Sequence, residues 1–167
     1  MTLSICTYPD PVLAQRAEPV AEISDEVRQL ASDMVETMYA NQGIGLAAPQ
    51  VGKSWRLITV DISGPENQTE LVTLVNPEIQ WRDGETETEE GCLSVPEFRS
   101  KVQRAAKVRV TGQDLEGNAV DMEADGLLAV CLQHEIDHLE GTIILDHVSR
   151  LKRSMYTKKV SKWQKQD

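Results

Sequence analysis

The chain has 167 residues, 40% apolar and 26% charged, which predicts one domain (1–167) able to bury roughly 70% of its unfolded surface and hold a core without disulfides. Its 17 Lys and Arg against 27 Asp and Glu give a formal net charge of −10, which argues against a DNA or general nucleic-acid binder. No apolar run approaches the ~18 residues of a membrane span, and the opening MTLSICTYPD lacks a basic start and an apolar signal core.

The first 22 residues read as irregular, punctuated by Pro9, Pro11 and Pro19. A helix then follows, with Ser24 as N-cap and Val27, Leu30, Ala31, Met34, Val35 and Met38 on one stripe; Gly43 is its expected stop. The segment Gly43–Gly52 reads as a glycine-containing loop. Strands are expected at 55–61, 70–76, 107–111 and 118–124, with a hairpin turn at Asp114–Asn118. Short strands without intervening helices favour antiparallel sheet. A second helix is expected over 125–140. Its apolar residues cover most of its circumference, as in a buried central helix, and Gly141 would end it. The expected fold class is therefore α+β: antiparallel sheets packed around a central buried helix, with one helix before them and one at the C-terminal end, about 149–165.

Chemistry concentrates in three segments. His134-Glu135-Ile136-Asp137-His138 is an HExxH run on the central helix. Residues four apart share a helical face, so both imidazoles can reach one metal ion, with Glu135 beside it as a base. Two buried core histidines without a metal or partner would be costly to desolvate. Catalytic metal sites commonly take three protein ligands and keep one position open. His147, Cys92, Cys131 and several carboxylates are candidates for the third. Cys131 shares the helix with both histidines, whereas Cys92 lies in Glu90–Pro96, which can approach from outside, so spacing ranks Cys92 first. Cys131 reads better as a small buried hydrophobe. The three cysteines are too few and too widely spaced for a disulfide framework, and a reducing, cytoplasmic setting is expected. In the third segment, Gly43–Gln50, glycines permit close backbone approach and Gln50 offers an amide donor to a developing oxyanion.

Together the segments GIGLAAPQ (43–50), EGCLSVP (90–96) and QHEIDHLEG (133–141) resemble the three motifs of the peptide deformylases, in the same order and with matching separations. The EGCLS form is similar to the bacterial-type branch, whose members usually carry a longer C-terminal helix. Thr88 departs from the pattern, because related sequences often carry an aliphatic residue there. The resemblance implies Cys92, His134 and His138 as metal ligands, with ferrous iron as the native metal and nickel, cobalt or zinc able to replace it. Ligand softness alone would suggest zinc first. It further implies hydrolysis of the formyl group from N-formyl-methionyl polypeptides, with Glu135 as the base and the Gln50 amide and Leu93 backbone N–H at the oxyanion. Ile44, Leu127, Val130, Cys131 and the face of His134 are the expected methionine slot. The loops at Gly45 and Gly91 would pair with the substrate backbone. Two other readings are an HExxH protease of internal peptide bonds and a structural metal domain, though a structural site usually has four protein ligands.

Charge is uneven. Arg150, Lys152, Arg153, Lys158, Lys159, Lys162 and Lys165 put seven positive charges in the last 18 residues, against a net −16 on the rest. Leu151, Met155 and Trp163 are expected to anchor this helix, leaving the basic side chains free to meet ribosomal RNA. A monomer is expected.

Overall fold

The sequence stripe of the first helix explains its placement. In α1 (Asp25–Ala40) the Ser24 hydroxyl accepts from the Val27 amide at 3.4 Å, and Asp25 and Glu26 sit in the first turn, where negative charge complements the helix dipole. Met34 and Met38 are fully buried, each contributing roughly 1.5–3 kcal/mol. The helix ends earlier than Gly43: Gln42 takes the left-handed conformation, at φ 60°, and the Gly43 amide closes back on the Met38 carbonyl.

The structure, a computed structural model, describes residues 1–166. After α1 come β1 (Gly45–Ala47), a 3-10 turn (Ala48–Val51), β2 (Leu57–Asp61), the short α2 (Gly64–Asn67), β3 (Leu71–Asp83), β4 (Thr86–Cys92) and β5 (Val95–Arg104). Then follow β6 (Lys107–Gln113), β7 (Ala119–Asp125), α3 (Gly126–Leu139), a second 3-10 turn (Ile144–His147) and α4 (Arg150–Gln166). Another short turn, Pro11–Ala14, interrupts the irregular N-terminal stretch. Five strands form an antiparallel sheet in the order β1-β2-β3-β6-β7, and β4 and β5 form a separate antiparallel pair.

Helix α3 packs against all five strands of the larger sheet. Ile58, Val60, Leu74, Val108 and Val110 meet Ala129, Leu132, Ile136 and Leu139 in one core cluster. A second cluster lies under α1. The third joins β5, the Ile144–His147 turn and α4 through Val95, Val102, Ile144, Leu145, Tyr156 and Val160.

Two expectations are corrected, and two strands are added. The Gly43–Gly52 loop contains a strand, β1, paired with β2. The Glu90–Pro96 segment is the hinge between β4 and β5, two strands that periodicity did not reveal. On α4, Tyr156, Val160 and Trp163 face the core at helical spacing, while Leu151 and Met155 are 70% and 62% exposed. They anchor nothing, because the stripe of three aromatic and branched residues buries more area than theirs would.

Candidate active site and metal centre

The alternation of β4 builds one wall of the site. Thr86, Thr88 and Glu90 are its more buried positions, and Glu87 and Glu89 its exposed ones. A register shift between Gly91 and Cys92 then turns the chain so that Cys92 pairs with Val95. Cys92 Sγ comes to 3.4 Å from His138 Nε2. One ligand atom from each of Cys92, His134 and His138 lies within 4.8 Å of the other two, and among the described residues no other such trio of Cys, His or acidic groups forms. His147 and Cys131, the other ligand candidates, are outside it.

One thiol and two imidazoles make a donor set suited to a late first-row divalent metal. Their orientation fits that use. His134 Nδ1 lies 2.9 Å from Glu90 Oε1. Paired there with an ionised carboxylate, Nδ1 carries the ring proton and the Nε2 lone pair is left for a cation. Glu90 is itself held by Arg104, whose Nε and Nη2 donate at 2.9 and 2.8 Å. Burial works against the Glu90 charge, but the hydrogen bonds from Arg104 and His134 outweigh it and hold the carboxyl at about 2. Burial likewise opposes the His134 charge, yet the carboxylates of Glu135 and Glu90 and the Cys92 sulfur favour it. His138, whose ring centroid is 5.2 Å from that of His134, is kept neutral, at about 3, by burial and by its neighbour. A cation held at His134 Nε2 would supply the positive charge that these neighbours favour on the ring.

Glu135 is only 4% exposed, and its Oε1 has no hydrogen-bond partner. Burial lifts its carboxyl to about 7, which suits a group that exchanges protons near neutrality. A Cβ at position 45 would collide with this carboxylate, so Gly45 is required sterically as well as for approach of a ligand. Gln50 is buried and aimed: its Oε1 accepts from the Ala47 amide at 3.0 Å, which points Nε2 toward Ser94 Oγ at 3.1 Å and Cys92 Sγ at 3.6 Å. Burial raises the Cys131 thiol to about 12, and the Glu135 charge adds to this, so it remains a neutral lining group.

One cavity of about 620 Å³ is lined by Ile44, Gly45, Gln50, Gly91, Cys92, Leu93, Leu127, Val130, Cys131, His134 and Glu135. All eleven are residues singled out from the sequence. His138 is 1% exposed and lies behind the lining. Leu127 is 51% exposed, apolar surface offered at the mouth. The cavity adds residues that lie outside the three motifs: Gln42, Thr88, Glu89, Glu97 and Arg99. Thr88 has its hydroxyl 3.4 Å from Glu90 Oε2, so the departure from the motif pattern adds a polar group beside the buried pair. Arg104 was missed altogether, since nothing in its local sequence distinguishes it from a surface arginine.

Comparison with known proteins gives one answer. The family model for polypeptide deformylase matches residues 2–154. A peptide deformylase of Desulfosudis oleivorans is 53% identical over 98% of this chain and 95% of its own length. One of Acidobacterium capsulatum is 49% identical over 99% and 97%. Among solved structures, a peptide deformylase of Legionella pneumophila superposes with TM-score 0.92 at 44% identity, covering 99% of this chain and 96% of that one. One from Synechococcus elongatus, in complex with actinonin, gives 0.89 at 41%, covering 95% and 88%. The chain belongs to the polypeptide deformylase family.

Proposed function

We propose that this chain hydrolyses the formyl group from the N-terminal formyl-methionine of nascent polypeptides, releasing formate and a free amino terminus. The observation that carries this is the meeting of Cys92 and His134, which line the cavity, with His138 just behind them and with Glu135, whose buried Oε1 is unpartnered, beside them. In this reading Cys92, His134 and His138 hold the metal, and ferrous iron is the native ion, with nickel, cobalt or zinc as replacements. A bound divalent cation supplies Lewis acidity to the attacking water and the formyl oxygen.

The protein supplies the rest. Glu135 takes a proton from the attacking water as its oxygen bonds to the formyl carbon, then delivers that proton to the departing amine as the C–N bond breaks. Gln50 Nε2 and the Leu93 backbone N–H donate to the oxygen on which charge develops. Ile44, Leu127, Val130, Cys131 and the His134 ring enclose the methionine side chain, and Gly45 and Gly91 leave room for the substrate backbone to pair as an added strand. Main-chain pairing reads little sequence, as processing of many different chains demands.

The test is formate release from formyl-Met-Ala-Ser, run anaerobically on iron-loaded protein with the metal measured in the same sample. Cleavage of an internal peptide, or no formate, would defeat the assignment. Nickel-loaded protein should outlast the iron form in air; equal decay would remove the metal's redox state as the weak point.

The remaining readings are a single domain over 1–167, a monomer and a cytoplasmic setting. No helix among the described residues is long and apolar enough to cross a membrane. We also assign the basic side chains of α4 to ribosome contact. Lys152 and Arg153 are engaged with Ser100 and Asp146, and Lys159 lies over the Trp163 ring, which leaves Arg150, Lys158, Lys162 and Lys165 for RNA phosphates. Truncating α4 would remove the buried Tyr156 and Val160, so the test is Lys158→Gln with Lys162→Gln and Lys165→Gln. The triple variant should keep short-peptide turnover and lose salt-sensitive ribosome co-sedimentation.

A further inference from the structure

A line of hydrogen bonds leads from His134 out to the surface. His134 Nδ1 meets Glu90 Oε1 at 2.9 Å, and Glu90 accepts Nε and Nη2 of Arg104. The third arm of the same guanidinium, Nη1, donates to Asp137 Oδ2 at 2.6 Å. That oxygen also lies 2.9 Å from His147 Nε2. The proposed mechanism uses neither Asp137 nor His147. We propose that His147 is a positioning residue: by fixing Asp137 against Arg104 it holds Glu90 on the Nδ1 edge of His134 and so sets the angle of that ring.

The burial gradient supports this. The side chains of Arg104 and Glu90 are 4% and 7% exposed, so water cannot replace a donor or acceptor that either loses. Asp137 is 27% exposed and has room to swing toward solvent. Its bond to Arg104 alone would tether it at one oxygen, and His147 adds a second donor there. Were Asp137 to leave, Nη1 of Arg104 would be a buried unpaired donor, at a cost the guanidinium would relieve by shifting. Such a shift moves Glu90, because two of its hydrogen bonds come from the same rigid fork.

His147 is able to act as an anchor because its own element is held. Ile144 and Leu145 of its turn are 1% and 0% exposed, the Ile143 amide donates to Asp146 Oδ2 at 2.8 Å, and Arg153 of α4 pairs with Asp146. The orientation of a proposed metal ligand on α3 is thereby referred to the junction between α3 and α4. A plain surface ion pair at Asp137 would be worth little and would leave the metal centre unaffected.

The inference rests on His134 being a metal ligand, and the experiment separates the two. Wild-type protein and the variants His147→Leu, His147→Gln and Asp137→Asn are loaded with cobalt(II) without air. Visible ligand-field bands and the rate of cobalt release to a chelator are recorded, and thermal melting establishes that each variant is folded. Leucine removes the donor, whereas glutamine returns an N–H at the ε position. His147→Leu should release cobalt about 3–10-fold faster with shifted bands, less than the ~10–100-fold loss seen when a group directly on a ligand is removed. His147→Gln should match wild type, and Asp137→Asn should be affected at least as much as His147→Leu. If His147→Leu keeps the wild-type bands and rate, or glutamine fails to rescue, His147 does not position the ligand. If wild type itself takes up no cobalt at this site, the ligand set falls, and the inference with it.

Discussion

Strands β4 and β5 carry ion pairs on both faces, and the two faces differ completely. On the exposed side, Glu87 meets Lys101 and, at the rim of the cavity, Glu89 meets Arg99, each at 3.9 Å, with side chains between 49% and 76% exposed. Inward, Glu90 and Arg104 are almost fully enclosed and joined by two short bonds. The chemistry is the same; the surroundings are not. Exposed pairs contribute about 0–1 kcal/mol. An enclosed pair must recover the cost of leaving water, and does so only when every arm is bonded, as all three donor groups of Arg104 are. Glu135 completes the series. It is enclosed like Glu90 but has no cation directly on it, so burial lifts its carboxyl to about 7 where Arg104 holds Glu90 at about 2. The partner thus separates the two carboxyls: in the proposed reaction Glu90 stays an anion beside the His134 ring, and Glu135 is the group suited to exchange protons.

The sharpest test of that contrast removes the exchangeable proton. Glu135→Gln keeps the shape of the cavity and should keep the metal, because Glu135 lies outside the trio of ligand atoms. Formate release should fall by about 10²–10⁴, the usual contribution of general acid–base catalysis. Near-normal turnover with normal metal content would place the base elsewhere.

Arg104→Met tests the other enclosed carboxylate. It strips the partner from a buried anion at nearly constant volume, and should cost about 3–5 kcal/mol in urea unfolding. Metal affinity should drop about 10–100-fold as Glu90 loses its hold and His134 its orientation. A loss under about 1 kcal/mol would make the inner pair equivalent to the outer ones.

These enclosed charges are also where the sequence is hardest to read. Helices α1 and α3 and the β6–β7 hairpin follow from apolar spacing and from Asp114–Asn118, because their buried faces are apolar. β4 hides: its inward positions are Thr86, Thr88 and Glu90, so the polar run Thr86–Cys92 shows no apolar alternation. Its inward charge is explained only by Arg104 and His134, 14 and 44 residues away. β3 extends past Asn76-Pro77, which reads as a strand end, because Asn76 takes a positive φ of 50° and the ladder resumes after a shift between Val75 and Glu78. Most of the lining residues were legible because they lie in three contiguous motifs or, like Leu127, Val130 and Cys131, on the apolar helix that carries the third. Arg104, Asp137 and the part played by His147 were not, since each is defined by a partner distant in sequence.

Acid provides a milder perturbation than substitution. A carboxylate held below its ordinary pKa contributes stability that is complete above about 4.5 and disappears as the pH falls toward about 2. In metal-stripped protein, the gap in urea midpoint between wild type and Glu90→Gln should be widest at neutral pH and narrow through that window. A gap that stays constant down to pH 3 would mean that Glu90 is not held as an anion in the folded state.

The smallest expected effect belongs to the outer face. A double-mutant cycle on Glu87→Gln and Lys101→Gln isolates the coupling between the two side chains, since the losses each variant suffers alone cancel. At 3.9 Å, with the lysine 76% exposed, water competes for both groups and a long side chain must be ordered for little return. The coupling should be about 0.5 kcal/mol or less at low ionic strength, and should vanish in 1 M salt, where the Debye length is about 3 Å. A coupling above about 1.5 kcal/mol that survives salt would show the outer face to be shielded from water. Burial would then no longer separate the two faces of the hairpin, and the assignment of Glu90 and Arg104 as the pair that orients the site would have to rest on the contact of Glu90 with His134 alone.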